Sequence, residues 1–200
     1  MKRLFILALS IAVVVGLSAC EEITNLSLID VPITKDLNFS STGNVAPSTN
    51  RDCADLSDSK DFNDNKSRVN SVEVQEAWVR INNLNSPQFS TPGTTVETAV
   101  LSGARFILTF DPEYGDTKEY VLGTAESVPL RQLLTSSTNL KGYKITIDNA
   151  SIKPALNYLT RRPKFCIRSE YGPLVGGGTV TSPSMNGTFS LTFKFKVDPL

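Results

Sequence analysis

Phe189-Ser190-Leu191-Thr192-Phe193-Lys194-Phe195-Lys196-Val197 decides the fold. Apolar side chains stand at every second position, with serine, threonine and lysine between them. That period is the period of a pleated strand with one face in a core and one in water. Weaker versions of the pattern lie upstream. In Ser71–Ile81, Val72 and Val74 share one face while Ala77, Val79 and Ile81 share the other, so the phase changes between Val74 and Ala77 and predicts a bulge there. Phe106, Leu108 and Phe110 alternate in the next strand. Asp111–Asp116, rich in turn formers, leads from it to a short partner strand at Glu119–Leu122. Tyr143, Ile145 and Ile147 predict a further strand, and Phe165–Ser169 another around Cys166.

The segments between them are read more coarsely. Glu21–Asp36 reads as a tether, with an edge strand near Leu28–Ile33, where Pro32 argues against a central position. Leu37 and Phe39 begin a strand, and Ser40–Asn50 is composed of turn formers and predicts a loop. Short helices are predicted at Leu56–Phe62, Val128–Leu134 and Ile152–Leu159, with Pro129 and Pro154 in the first turns of the last two. About seven strands with outward polar faces predict an all-β chain: a two-sheet antiparallel sandwich, immunoglobulin-like, with one or two short helices. Cys53, Trp78 and Cys166 follow the order used in antibody domains. The cysteines lie too far apart in sequence, however, and Lys164 stands where a tyrosine corner would place Tyr, so membership of that family is not supported.

The N-terminus has a different logic. Lys2 and Arg3 precede an apolar run from Leu4 to Val15, and Gly16-Leu17-Ser18-Ala19-Cys20 follows. A positive start, an apolar middle and a small-residue cleavage site make a secretory signal. The run is shorter than the ~20 residues of a permanent span. Leu17-Ser18-Ala19-Cys20 resembles the lipobox of bacterial lipoproteins, a resemblance confined to the first 20 residues. It implies cleavage before Cys20, a thioether-linked diacylglycerol on that cysteine, and acyl chains of the palmitate type. One chain holds a protein marginally, whereas two make the attachment stable, at about 0.8 kcal/mol per buried CH₂. Glu21 and Glu22 come next. A residue other than Asp there implies the outer membrane in lipoproteins of enteric type, and an acidic stretch there resembles a surface-display signal in other lineages. The expected organisation is a signal peptide at 1–19, a lipidated tether at 20–36 and one domain at 37–200.

Removing residues 1–19 takes Lys2 and Arg3 from the 20 basic residues and leaves 18 against 20 acidic, a net charge near −2. Such a balance gives no bias toward nucleic acid. With Cys20 committed to lipid, Cys53 and Cys166 form an even pair in an oxidising compartment and are a candidate disulfide, with a reduced buried pair as the alternative.

The chain contains no histidine, which removes Ser-His-Asp and Cys-His machinery and every histidine metal ligand. A carboxylate pair of glycosidase type is the remaining catalytic option, and no pair is singled out. Asp52, Asp55, Asp58, Asp61 and Asp64 recur every third residue, and Asp61, Asn63 and Asn65 are weak candidates for a calcium-type metal. Lys66 replaces the glycine an EF-hand turn needs, and Val72 stands where its glutamate would be, so a solvated loop is expected. Gly176-Gly177-Gly178 is followed by Thr-Val-Thr-Ser-Pro rather than Gly-Lys-Ser/Thr and reads as a flexible loop. Arg161, Arg162 and Lys164 form a basic cluster too small for nucleic acid. Trp78, flanked by apolar neighbours, is read as core, with a sugar-stacking role as the alternative; Tyr114, Tyr120, Tyr158 and Tyr171 are the other aromatics considered for glycans.

The expectation is therefore a lipid-anchored envelope protein, on the outer membrane rather than the inner. Its sandwich is a non-enzymatic binding or accessory module without a cofactor, and its partner an envelope protein or a polysaccharide. The alternatives are a carboxylate-based glycan-active enzyme and a structural or adhesion subunit.

Overall fold

The computed structural model describes residues 28–44, 48–110, 118–172 and 180–199. Along the chain these form β1 (Ile29–Asn44), β2 (Ser48–Asp55), a 3-10 turn (Leu56–Asp58), helix α1 (Lys60–Asn65), a second 3-10 turn (Lys66–Arg68), β3 (Val69–Asn85), β4 (Gln88–Phe89) and β5 (Val100–Phe110). There follow β6 (Glu119–Pro129), α2 (Leu130–Leu133), β7 (Tyr143–Lys144), β8 (Thr146–Ile147), α3 (Asn149–Leu156), β9 (Lys164–Tyr171) and β10 (Val180–Val197).

The strands make two antiparallel sheets. Sheet I has the order β1-β10-β3-β7, with β4 added against β10, and sheet II has the order β2-β9-β5-β6-β8. The two-sheet sandwich is the one the strand periodicity predicts. Its wiring refines the immunoglobulin-like expectation. The chain crosses between the sheets from β1 to β2, from β2 to β3 and from β9 to β10, while β5 and β6 pair within sheet II; the C-terminal strand lies between β1 and β3, which is the strand order of a jelly roll.

β10 organises the core. Its inward phenylalanines each meet an aromatic ring from another element: Phe189 stacks on Phe106 of β5 at 5.0 Å, Phe193 meets Phe165 of β9 edge-on at 5.3 Å, and Phe195 meets Phe62 of α1 edge-on at 5.7 Å. All six rings are at most 2% exposed. At roughly 1.5–3 kcal/mol per buried large side chain, plus the geometric preference of ring pairs, these rings contribute substantially to holding the two sheets and α1 together. The bulge read from the phase change is present: Glu76 pairs with Thr192 and Val74 with Phe193, leaving Gln75 unopposed. The extra residue returns Val72 and Val74 to the same core as Ala77, Val79 and Ile81.

Several boundaries differ from the sequence reading. The edge strand read near Leu28–Ile33 is present from Ile29, and it runs without a break into the stretch that starts at Leu37, with Ile33 and Leu37 both buried, so half of one edge strand comes from the segment read as tether. Turn formers within Ser40–Asn50 do not make the whole segment a loop: β1 runs to Asn44 against β10, and β2 begins at Ser48 against β9. The single strand expected around Ile145 is split. Tyr143–Lys144 pairs with β3 in sheet I and Thr146–Ile147 with β6 in sheet II, while Ile145, buried between them, donates its amide to the Ala77 carbonyl at 2.9 Å. Gly142 makes that approach feasible. Its φ is +86°, and a Cβ there would lie 2.3 Å from the Val79 carbonyl oxygen.

Helix α3 begins at Asn149 rather than Ile152 because Asp148 caps it, accepting from the amides of Ala150 and Ser151. Pro154 consequently sits inside that helix, and Pro129 occupies the N-cap position of α2. The helix expected at Leu56–Phe62 is divided at Ser59, which caps α1 through Phe62, after a 3-10 turn capped by Asp55.

Candidate binding face

Because side chains alternate along a strand, burial of Ala77, Val79 and Ile81 turns Glu76, Trp78 and Arg80 to the solvent side of sheet I. Trp78 is thus half-buried on the outer face, which corrects its assignment to the core. Apolar neighbours at i±1 mark the opposite face of a strand, so they were a misleading criterion. Across the sheet Trp78 is in register with Ser190 on one side and Lys144 on the other, and Ser190 is in register with Asp36.

This outer face is polar and internally bonded. Ser190 donates to Asp36, Arg80 donates to Ser190 at 3.4 Å, and Arg80 pairs with Asp36 at 3.7 Å. One row away, Asn82 donates to the Thr188 hydroxyl at 2.8 Å, and that hydroxyl donates to Asn38 at 3.2 Å. Thr34 and Thr192 bond to each other at 2.9 Å, and Lys194 bridges Glu73 and Asp30. The Glu73 hydrogen bond is the chief cause that raises the pKa of Lys194.

Beside this lattice Trp78 has a cationic surround. Its indole nitrogen donates to Glu76 at 3.1 Å, and the ammonium groups of Lys141 and Lys144 stand 5.1 and 5.6 Å from the ring centroid. Both lysines also approach the Glu76 carboxylate, at 3.7 and 4.0 Å. The indole hydrogen bond, then Lys141 and Lys144, hold the Glu76 pKa below its ordinary value, against a smaller opposing effect of burial. Lys144 continues into a surface cleft of about 560 Å³ lined also by Arg131, Gln132, Ser136, Asn139 and Tyr143. Asn139 shapes one wall: its amide donates to the Gln132 carbonyl at 2.8 Å, and its side-chain oxygen accepts from the Gly142 amide at 3.0 Å. Arg131, Lys141 and Lys144 went unmarked in the sequence because each is an isolated charge there; the phase of Trp78 was the available signal.

The other residues singled out from sequence fall elsewhere. Cys20, Tyr114 and Gly176–Gly178 lie outside the described residues. Cys53 and Cys166 are joined by a disulfide between directly opposed positions of β2 and β9, and the Arg51 guanidinium donates to the Cys166 sulfur at 3.4 Å. Asp61, Asn63 and Asn65 lie on or at the end of α1. There Asn63 donates to the Ser57 carbonyl, Asn65 donates to the Asp61 carbonyl, and the Asn63 and Asn65 side-chain oxygens accept from Lys66 and Arg68. The regular aspartate spacing is largely a capping and pairing pattern, with Asp58 near Lys35 and Asp64 paired with Lys60. Among the described residues, no group of three or more His, Cys, Asp or Glu is arranged to hold a metal ion.

Tyr120 and Tyr158 pack edge-on against Phe110, and Arg162 lies 5.2 Å from the Tyr158 ring. Tyr171 turns inward against Phe39 and Phe106, so none of these three presents a flat open ring. Its buried hydroxyl makes no hydrogen bond of good geometry, and burial pushes its pKa up to about 12, opposed in part by a poorly aligned approach of Ser169. The described carboxylates with displaced pKa values are all lowered. Asp148 is held down by Ser151, Glu76 by Trp78, and Asp55 by Ser57 and nearby lysines, which together outweigh the opposing effect of its burial. A general acid requires the opposite displacement.

No family model and no curated protein sequence matches the chain. Among solved structures, it is similar to Desmodium yellow mottle tymovirus over 85% of this chain and 90% of that one, at 11% identity and a TM-score of 0.25. It is also similar to infectious bursal disease virus, Gx strain, over 85% of this chain and 37% of that one, at 17% identity and a TM-score of 0.32. The third is dimeric latent PorU from Porphyromonas gingivalis, over 86% and 13% of the two chains, at 12% identity and a TM-score of 0.28. Similarity at this level names neither a family nor a function.

Proposed function

We propose that the chain is a lipid-anchored protein of the bacterial cell envelope, on the outer membrane, whose sandwich is a non-enzymatic binding or accessory module. The observation that carries the proposal is Leu17-Ser18-Ala19-Cys20, a lipobox-type sequence placed just ahead of a strand that begins at Ile29. An extended chain reaches about 3.3–3.6 Å per residue, so Cys20 and Ile29 are at most roughly 30 Å apart. Anchored there, the domain hangs close to the bilayer by the end of the sandwich where Ile29 pairs with Val197. Asp36 and its row lie seven residues, roughly 23 Å, further along β1 from that end.

The non-enzymatic reading is supported by the absence of histidine from the sequence. The binding reading is supported by a half-buried tryptophan on a sheet face otherwise occupied by a polar lattice. Replacing Cys20 with Ser tests the anchor. Incorporation of labelled fatty acid is expected to cease and the protein to leave the membrane fraction; continued labelling overturns the proposal. Cross-linking from the intact envelope, with identification of what is captured, tests the binding role.

A further inference from the structure

We propose that Trp78, Lys141, Lys144 and the adjoining cleft bind an acidic oligosaccharide, a glycan carrying uronate-type carboxylates. This rests on the reading of the domain as a binding module and gives that module a site and a ligand class. Three observations converge on it. An aromatic plane on the solvent side of a sheet offers a surface to the C–H face of a pyranose ring, as an apolar body with a polar edge. The lysines over that ring are 66% and 57% exposed, so their flexible stems can turn from the indole to a ligand carboxylate without disturbing the core. The cleft that Lys144 shares with Arg131 is lined otherwise by amides and hydroxyls such as Gln132, Asn139 and Ser136, and none of its described lining residues is acidic.

The balance of charge selects the ligand. Lys141 and Lys144 flank one carboxylate, Glu76, which is already bound to the indole, and Arg131 adds a third cation in the cleft that Lys144 lines. A neutral glycan would leave this cationic excess unused. A carboxylated one supplies planar acceptors suited to the Arg131 guanidinium and charge partners for the lysines. The cleft volume of about 560 Å³ lies within the ~300–1,000 Å³ of small-molecule sites.

The chain contains a single tryptophan, so its emission reports on this site alone. The experiment titrates the full-length protein in detergent with oligogalacturonate, with the same oligomer after reduction of its carboxyls to hydroxymethyl groups, and with polyphosphate. Saturable change in Trp78 emission is expected with oligogalacturonate, weakening at high salt. The reduced oligomer and polyphosphate are expected to bind at least tenfold more weakly. The Lys141→Gln/Lys144→Gln double variant is expected to lose at least tenfold in affinity while keeping its far-ultraviolet circular dichroism. No emission change, an equal response to polyphosphate or the reduced oligomer, or an unaltered double variant overturns the site. Co-sedimentation with the glycan but no emission change would place binding elsewhere and leave the module reading standing. Absence of both co-sedimentation and captured partners in the envelope would overturn that reading too.

Discussion

Cutting the Cys53–Cys166 link is expected to weaken the domain by an amount that the chain between the two cysteines dictates. They are 113 residues apart. In the chain-entropy description, opening a loop of that length restores disorder to the unfolded state worth about 5 kcal/mol. The folded state should lose little, because β2 keeps eight register pairs with β9 from Ser48–Tyr171 to Asp55–Lys164. Cys53→Ala isolates the effect best: Cys53 is exposed, and the Cys166 thiol left behind is buried and behaves as a small apolar group. The variant should fold, with a urea midpoint lowered by the equivalent of about 5 kcal/mol and a Tm lower by roughly 10–20 °C. Unmodified protein unfolded in the presence of reductant should coincide with it. The reasoning is refuted if the variant lies within about 1 kcal/mol of the oxidised protein. It is equally refuted if the variant is destabilised while reduced unmodified protein is not, since the loss would then belong to local packing at position 53.

Two further outcomes follow from packing. Folding holds the Tyr171 phenol protonated to about pH 12, while the unfolded chain releases that proton near pH 10, so stability should fall across this window by about 2–3 kcal/mol as pH rises. Tyr171→Phe should remove that alkaline loss and be neutral or stabilising near pH 7, because it deletes a buried hydroxyl that makes no hydrogen bond of good geometry; urea melts at both pH values check this. Gly187→Ala would place a Cβ 2.0 Å from the Phe39 ring and 2.6 Å from the Arg80 carbonyl oxygen, and should cost about 1–3 kcal/mol in thermal melts. Phe39→Leu should recover only part of that loss, since the backbone contact stays.

How much of this was legible follows from how each signal arises. Period two in Phe189–Val197, and its phase slip at Gln75, are consequences of one strand meeting one core, so they read directly and the sandwich with its bulge was foreseeable. Wiring is not a local property: no residue of β10 states that its neighbours will be β1 and β3. Boundaries failed where a side chain outside the apolar pattern set them, as Asp148 does for α3, or where turn-forming residues were recruited into a long pair, as at Ser41 and Gly43 of β1. At the candidate site the orientation of Trp78 was implicit in the burial of Val79 beside it. Lys141 became its neighbour, and Arg131 came to share a cleft with Lys144, only through the loop that Asn139 and Gly142 shape.

The edges of the sandwich bear on which kind of interaction the domain can support. Assembly by strand addition needs a row of free backbone donors along an outer strand. β1 is the outermost long strand of sheet I, and its even-numbered residues direct their amides away from β10. In that row Pro32 has no N–H to offer, and the Asn38 amide is taken by the Asp52 carboxylate at 2.7 Å. Asp52 belongs to β2, the outermost strand of sheet II, whose own position is fixed by the disulfide one residue further on. The β1 edge is therefore closed at two positions of that row, by a proline and by a carboxylate supplied from β2. A subunit built to polymerise through these strands would leave that row open. The arrangement is consistent with the proposed recognition through a face, for which the outer face of sheet I carries Trp78 and its lysines.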